Sequence, residues 1–69
     1  MDYASFVCKG TVKRVKSYFI EVLVNQRTVR LYGQNLDKYI QVGSKVACSG
    51  FLDRDKAYIT DIGNANKGK

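Results

Sequence analysis

Histidine and tryptophan are absent from this chain, cysteine occurs only twice, and acidic residues number 6 against 12 Lys and Arg. Each shortage removes a class of function. Without histidine the usual general base and nucleophile activator is missing. Asp53, Asp55 and Asp61 are the nearest approach to a carboxylate cluster. Asp53 and Asp55 fall in an expected turn, where aspartate is common for backbone reasons. The chain therefore reads as a non-enzyme with no catalytic residue. Cys8 and Cys48, with no histidine beside them, cannot complete a structural zinc site within one chain, so neither metal nor cofactor is expected. Both lie in apolar, strand-like runs, which favours buried free thiols over a disulfide. No apolar run reaches the ~18 residues of a membrane span and no signal peptide is visible. A soluble cytoplasmic protein with no membrane partner is the expectation.

What is present narrows the reading further. At 69 residues there is room for a single domain. A chain this short buries only about 60% of its unfolded surface, so its core is thin. Self-association would support it, and a homodimer or higher homo-oligomer is expected. A hydrophobic content of 45% is too high for a disordered chain. The net charge of +6 on so small a domain favours a polyanionic partner.

Residues 4–16 alternate, with Phe6, Cys8, Gly10 and Val12 on one side and Val7, Lys9, Thr11 and Lys13 on the other. A period of two is a strand. Gly10 in its middle marks a bend or bulge, and a small barrel needs such a bend where one strand serves both halves of a sheet. Residues 18–24 give a second strand, with Tyr18, Ile20, Val22 and Val24 on one face and Phe19, Glu21 and Leu23 on the other. After turn candidates Asn25 and Gln26, residues 27–32 complete a hairpin, with Val29 and Leu31 inward and Thr28, Arg30 and Tyr32 outward. Asn35 is placed to cap a short helical turn over 35–40 through its side chain, with Leu36, Tyr39 and Ile40 on the buried face. Residues 44–52 form a fourth strand with Val46, Cys48, Gly50 and Leu52 inward. Residues 53–56 turn, and 57–62 form the fifth strand. The order β-β-β-α-β-β predicts an all-β, five-stranded OB-fold barrel with a short helix between strands three and four. An SH3-like barrel is the main rival. The domain spans 1–62, and 63–69 read as a short basic flexible tail.

Residues 28–58 resemble the middle of bacterial single-stranded-DNA-binding proteins. The resemblance rests on Leu31-Tyr32-Gly33, on Leu36 with Tyr39-Ile40, on Val42-Gly43-Ser44-Lys45-Val46, on Ser49-Gly50-Phe51-Leu52 and on Tyr58-Ile59-Thr60-Asp61. Upstream, Val7-Cys8-Lys9-Gly10-Thr11-Val12 is similar to that family's opening strand. The resemblance implies sequence-nonspecific binding of single-stranded DNA in replication or recombination. Departures are clear. The aromatic that the family carries before its third strand is Gln26 here, the helix and hairpin loops are shorter, and the acidic C-terminal tail that recruits partners is replaced by basic Asn66-Lys67-Gly68-Lys69. The result looks like a pared-down form such as a phage or mobile element carries, which would place it in the host cytoplasm. A weaker resemblance, to the small OB domain of the bacterial initiation-factor-one type, implies RNA or ribosome binding instead.

Single strands are held by stacking bases on aromatics and pairing phosphates with Lys or Arg. Tyr32 is the first stacking candidate, and its position matches the family's base-contacting aromatic; a barrel-rim tyrosine is the alternative. Phe19 is either an outward stacking ring or, with the strand phase reversed, a core residue. Tyr58 follows Lys56 near the fourth turn and is favoured for stacking. Phe51 either stacks or packs in a dimer interface. Tyr39 is expected beneath the helical turn and Phe6 in the core, while Tyr3 and Tyr18 stay open. Lys9, Lys13, Arg27 and Arg30 are expected to border the second and third strands as a phosphate track, with Arg54 and Lys56 on the fourth turn. The partner is then single-stranded nucleic acid, DNA rather than RNA. The other readings are an RNA-binding OB module and a protein-interaction module.

Overall fold

The computed structural model describes residues 4–64. Its strands are β1 (Ala4–Val15), β2 (Phe19–Val24), β3 (Arg27–Tyr32), β4 (Lys45–Asp53) and β5 (Lys56–Asn64), with a 3-10 turn at Leu36–Lys38 between β3 and β4. They close into a barrel in the order β1-β2-β3-β5-β4, the all-β OB-type architecture that the sequence predicts. Alternation decides what lies inside. Val12, Ile20, Val22, Leu31, Val46 and Cys48 are buried and pack together, with Phe6, Cys8, Val24 and Val29 partly buried against them. Burying each Val, Leu or Ile contributes about 1.5–3 kcal/mol.

β1 is shared between the two halves of the barrel. Its residues 4–11 pair with β4 and 11–15 with β2. The change of partner falls at Val12, whose N–H donates to the Ser44 carbonyl while its own carbonyl accepts from the Gly43 N–H, both at 2.8 Å. A bulge at Lys13 follows, so that Arg14 and not Lys13 stands opposite Glu21. At Gly10, where a bend or bulge is expected, the strand is continuous and the glycine answers to a close approach. A β-carbon there would collide with the Leu23 carbonyl as β2 crosses close behind it. Asn25 and Gln26, at φ 48° and 71°, make the two-residue turn between β2 and β3, both in the left-handed region that such a turn requires.

Five local expectations are corrected. Asn35 sits in left-handed geometry (φ 54°, ψ 33°) and its side chain makes no cap bond. The helical segment is one 3-10 turn, shorter than 35–40, although the Ile40 N–H still donates to the Leu36 carbonyl at 3.0 Å. Leu36 and Ile40 plug that end of the barrel, but Tyr39 has already left helical geometry (φ −120°, ψ −16°) and is 78% exposed, not packed beneath the turn. Leu52 keeps its inward phase yet is exposed, because its register partners Ala4 and Ala57 are too small to cover it at the barrel mouth. At the C-terminal side, Gly63 and Asn64 pair with Ala47 and Val46, so the barrel runs two residues past the expected boundary at 62. The rest of the expected tail, and Tyr3, lie outside the described residues.

Candidate nucleic-acid interface

Register builds the site. On the β2–β3 hairpin, Phe19 stands opposite Tyr32 and Glu21 opposite Arg30, all with outward phase. β3 then meets β5 in parallel, which puts Tyr32 level with Tyr58. β5 meets β4 with Tyr58 opposite Phe51. Four strands therefore contribute one aromatic each to a single row across the outer wall. Centroid separations are 6.1 Å from Phe19 to Tyr32, 5.9 Å from Tyr32 to Tyr58 and 5.4 Å from Tyr58 to Phe51, the last pair stacked at 23°. Tyr18 extends the row, 5.1 Å edge-on from Phe19 and 60% exposed. Its backbone is fixed by the turn that plugs the barrel: the Gly33 N–H donates to the Tyr18 carbonyl at 3.0 Å, and the Leu36 N–H to the Ser17 carbonyl at 2.9 Å.

Gly50 makes the centre of the row possible. A β-carbon there would overlap the Tyr58 carbonyl, so only glycine lets β5 approach closely enough to set Tyr58 beside Phe51. A bulge in β5 accompanies this approach, with Asp61 opposite Ser49 and Ile59 opposite Gly50. The Thr60 hydroxyl there donates to the Ser49 carbonyl at 3.4 Å. Tyr18, Tyr32, Gln34, Phe51 and Tyr58 together line a shallow open depression on this wall.

Cations flank the row unevenly. Lys56 Nζ lies 5.4 Å from the centroid of the Tyr32 ring, and Arg30 Cζ lies 4.2 Å from that of Phe19. Arg30 is also paired with Glu21, its Nη2 donating to Oε2 at 2.7 Å and its Nε to the same oxygen at 3.2 Å. Hydrogen bonding to Glu21, and secondarily to Tyr32, holds the guanidinium pKa above its ordinary value. Arg54 is exposed in the β4–β5 turn at φ 61°, a left-handed position that a non-glycine residue seldom takes.

Against the sequence expectations, Tyr32, Tyr58 and Phe51 do share one outward face with Arg30 and Lys56. Phe19 is a different case. Its outward phase is right, but it is only 6% exposed, covered by neighbouring side chains and not by the barrel interior. It is neither a free stacking ring nor part of the main core cluster. The expected track of Lys9, Lys13, Arg27 and Arg30 does not form a line. Ser5 is the β1 residue opposite Phe51. Lys9 is four residues further along, roughly 13 Å at strand spacing, beside Thr11 and Lys45. Arg27 shares the phase of Val29 and Leu31, opposite to Arg30, at the turn end of β3. Lys13 is the bulge residue of β1. Tyr18 and Gln34 were not among the expected contacts; Tyr18 could have been found from its place next to Phe19 at the strand entrance.

The cysteines are free and directly opposite one another on β1 and β4. Burial raises both thiol pKa values, that of Cys48 to about 11 with a smaller contribution from Cys8. Asp53 pairs in register with Lys56 and Asp61 with Ser49, at separate points of the β4–β5 hairpin. Among the described residues no group of three metal-ligating side chains comes together, and no helix is long and apolar enough to cross a membrane. No protein-family model, no curated protein and no solved structure matches the chain.

Proposed function

We propose that this chain binds single-stranded nucleic acid, DNA in preference to RNA and without sequence selection, as a non-catalytic OB module serving DNA replication or recombination. The observation that carries the reading is the aromatic row Phe19–Tyr32–Tyr58–Phe51, one ring from each of four strands at intervals of 5.4–6.1 Å. The row lies on an outer wall apart from the main core cluster, Phe19 supporting it from beneath, and every base has a face that can stack on the rings that are not buried. Lys56 stands beside it for phosphates, Arg54 is exposed in the adjoining β4–β5 turn, and the net charge of +6 supplies long-range attraction. Self-association belongs to the proposal because Val7, 85% exposed, and Leu52 leave apolar surface uncovered on another part of the barrel.

The test is a titration with labelled oligo-dT, oligo-rU and duplex DNA at two or more salt concentrations. Oligo-dT should bind best and duplex worst, with a log–log salt slope of about −0.7 per phosphate contact. Tighter binding of oligo-rU would favour the RNA-binding alternative. No binding to any of the three at low salt would favour a protein-interaction module. Sedimentation over the binding concentration range checks the oligomer; a monomer throughout removes that part of the proposal.

A further inference from the structure

We infer that Arg30 is a base-stacking platform and not a phosphate contact, with Glu21 as the residue that positions it. The inference rests on the single-strand reading above and assigns a role within that site. Three observations converge. The guanidinium lies over the Phe19 ring, with Cζ 4.2 Å from the centroid. Its Nε and Nη2 both donate to Glu21 Oε2, at 3.2 and 2.7 Å, so one edge is occupied. Phe19 is 6% exposed while the Arg30 side chain is 47% exposed. The arginine thus covers the ring and presents its own surface to solvent in the ring's place.

A guanidinium is planar and delocalised, stacks on aromatic faces and is more weakly hydrated than an ammonium group. Bases stack on guanidinium planes as well as on rings. With its underside on Phe19 and its charge offset by Glu21, Arg30 keeps N–H donors on its other edge but adds no net charge to draw a phosphate. What it offers is a flat surface beside Tyr32, two residues along the same face of β3. The usable row then runs Arg30, Tyr32, Tyr58, Phe51, with Phe19 as the support under its first member.

The experiment compares oligo-dT with a base-free (abasic) strand of equal length, each titrated across a salt series, for the parent, Arg30→Lys, Arg30→Ala, Glu21→Gln and Arg30→Ala combined with Glu21→Gln. A lysine keeps the charge but has no plane. Arg30→Lys and Arg30→Ala should therefore weaken oligo-dT binding alike, by roughly tenfold. Arg30→Lys should leave the salt slope, and the affinity for the base-free strand, unchanged, and so should Arg30→Ala combined with Glu21→Gln, which leaves no bare carboxylate at the site. Glu21→Gln frees the guanidinium edge and should steepen the slope by about 0.7. The inference is overturned if Arg30→Lys binds oligo-dT like the parent, or if Arg30→Ala combined with Glu21→Gln loses about 0.7 of slope and weakens on both strands equally. Where uncovering Phe19 unfolds the alanine variant, as circular dichroism would report, the lysine variant alone decides. A parent that binds neither strand sinks the functional reading itself, an outcome separate from a parent that binds while Arg30→Lys makes no difference.

Discussion

Two outer walls of this barrel carry most of its polar chemistry, and they are organised differently. On the wall shared by β2, β3, β5 and β4, aromatics line up ring to ring and the charges are mixed, with Arg30 and Lys56 beside Glu21 and Asp53. Along β1 and the start of β4 stand Lys9, Lys13, Arg14 and Lys45, with no acidic residue and no aromatic beyond Phe6 in Ala4–Val15. The first wall is specified by register, since each ring must face its neighbour across a strand boundary. The second is specified only by charge, and tolerates any arrangement that keeps its lysines in water. A ligand that stacks has a place on the first wall alone. One that is merely anionic is drawn to both.

The largest effect that would disturb this contrast comes from its structural origin. Gly50→Ala would drive a methyl group into the Tyr58 backbone, displacing β5 and the centre of the row. Its cost should reach at least about 3 kcal/mol in urea denaturation, the upper end for overpacking. Gly63→Ala, where nothing lies within 4 Å, should change stability by less than about 0.5 kcal/mol. Next in size is Tyr58→Ala, which removes the ring between Tyr32 and Phe51. Binding of oligo-dT should weaken by about 1–3 kcal/mol with the salt slope unchanged. Tyr32→Ala should behave similarly, and Tyr32→Phe should cost little because the π face remains.

The opposite wall gives a smaller and different response. Lys9→Ala combined with Lys45→Ala should not alter the binding of a strand just long enough to cover the aromatic row. With a longer strand that reaches β1, the pair should reduce the salt slope by about 0.7 per lost contact. If the double variant weakens a short strand as much as Tyr58→Ala does, the two walls have been assigned the wrong way round.

A further effect, confined to high pH, concerns the inner side of the β1–β4 wall, where Cys48 faces Cys8. Its thiol pKa is raised by burial from 9.0 to about 11, so the folded chain holds that proton more tightly than the unfolded one. The resulting stability is complete below pH 9 and is lost as pH rises through about 11. The unfolding free energy should fall across this window by an amount on the order of 1–3 kcal/mol in excess of that seen for Cys48→Ala, as urea denaturation at each pH would report. Everything the two proteins share cancels in this difference, which isolates the thiol.

Alternation made most of the barrel readable from sequence. Val29 and Leu31 against Arg30 and Tyr32 is a two-residue period with one solution, and Asn25-Gln26 between two such runs leaves room only for a hairpin. The outward phase of Tyr32 and Phe51 followed directly. What alternation could not convey was anything set by an irregular or non-local contact. The bulge at Lys13 exchanges which cation stands opposite Glu21. The parallel β3–β5 contact, which brings Tyr32 level with Tyr58, joins segments some 26 residues apart and leaves no local trace. Phe19 has the phase of a surface residue and the burial of a core one because Arg30, on another strand, lies over it. Tyr39 was placed by helical spacing, and one residue of departure from helical geometry sufficed to turn it outward.

The contact between β3 and β5 consists of two residue pairs, Leu31 with Ala57 and Tyr32 with Tyr58, whereas β4 is joined to β1 and to β5 by eight pairs each. It is the seam of the barrel, and the aromatic row crosses it. A strand laid over Tyr32 and Tyr58 would act as a clasp on that seam. Amide hydrogen exchange should then slow at residues 31–32 and 57–58 when oligo-dT binds, more than at the β1–β4 junction, because opening there would have to release the ligand first.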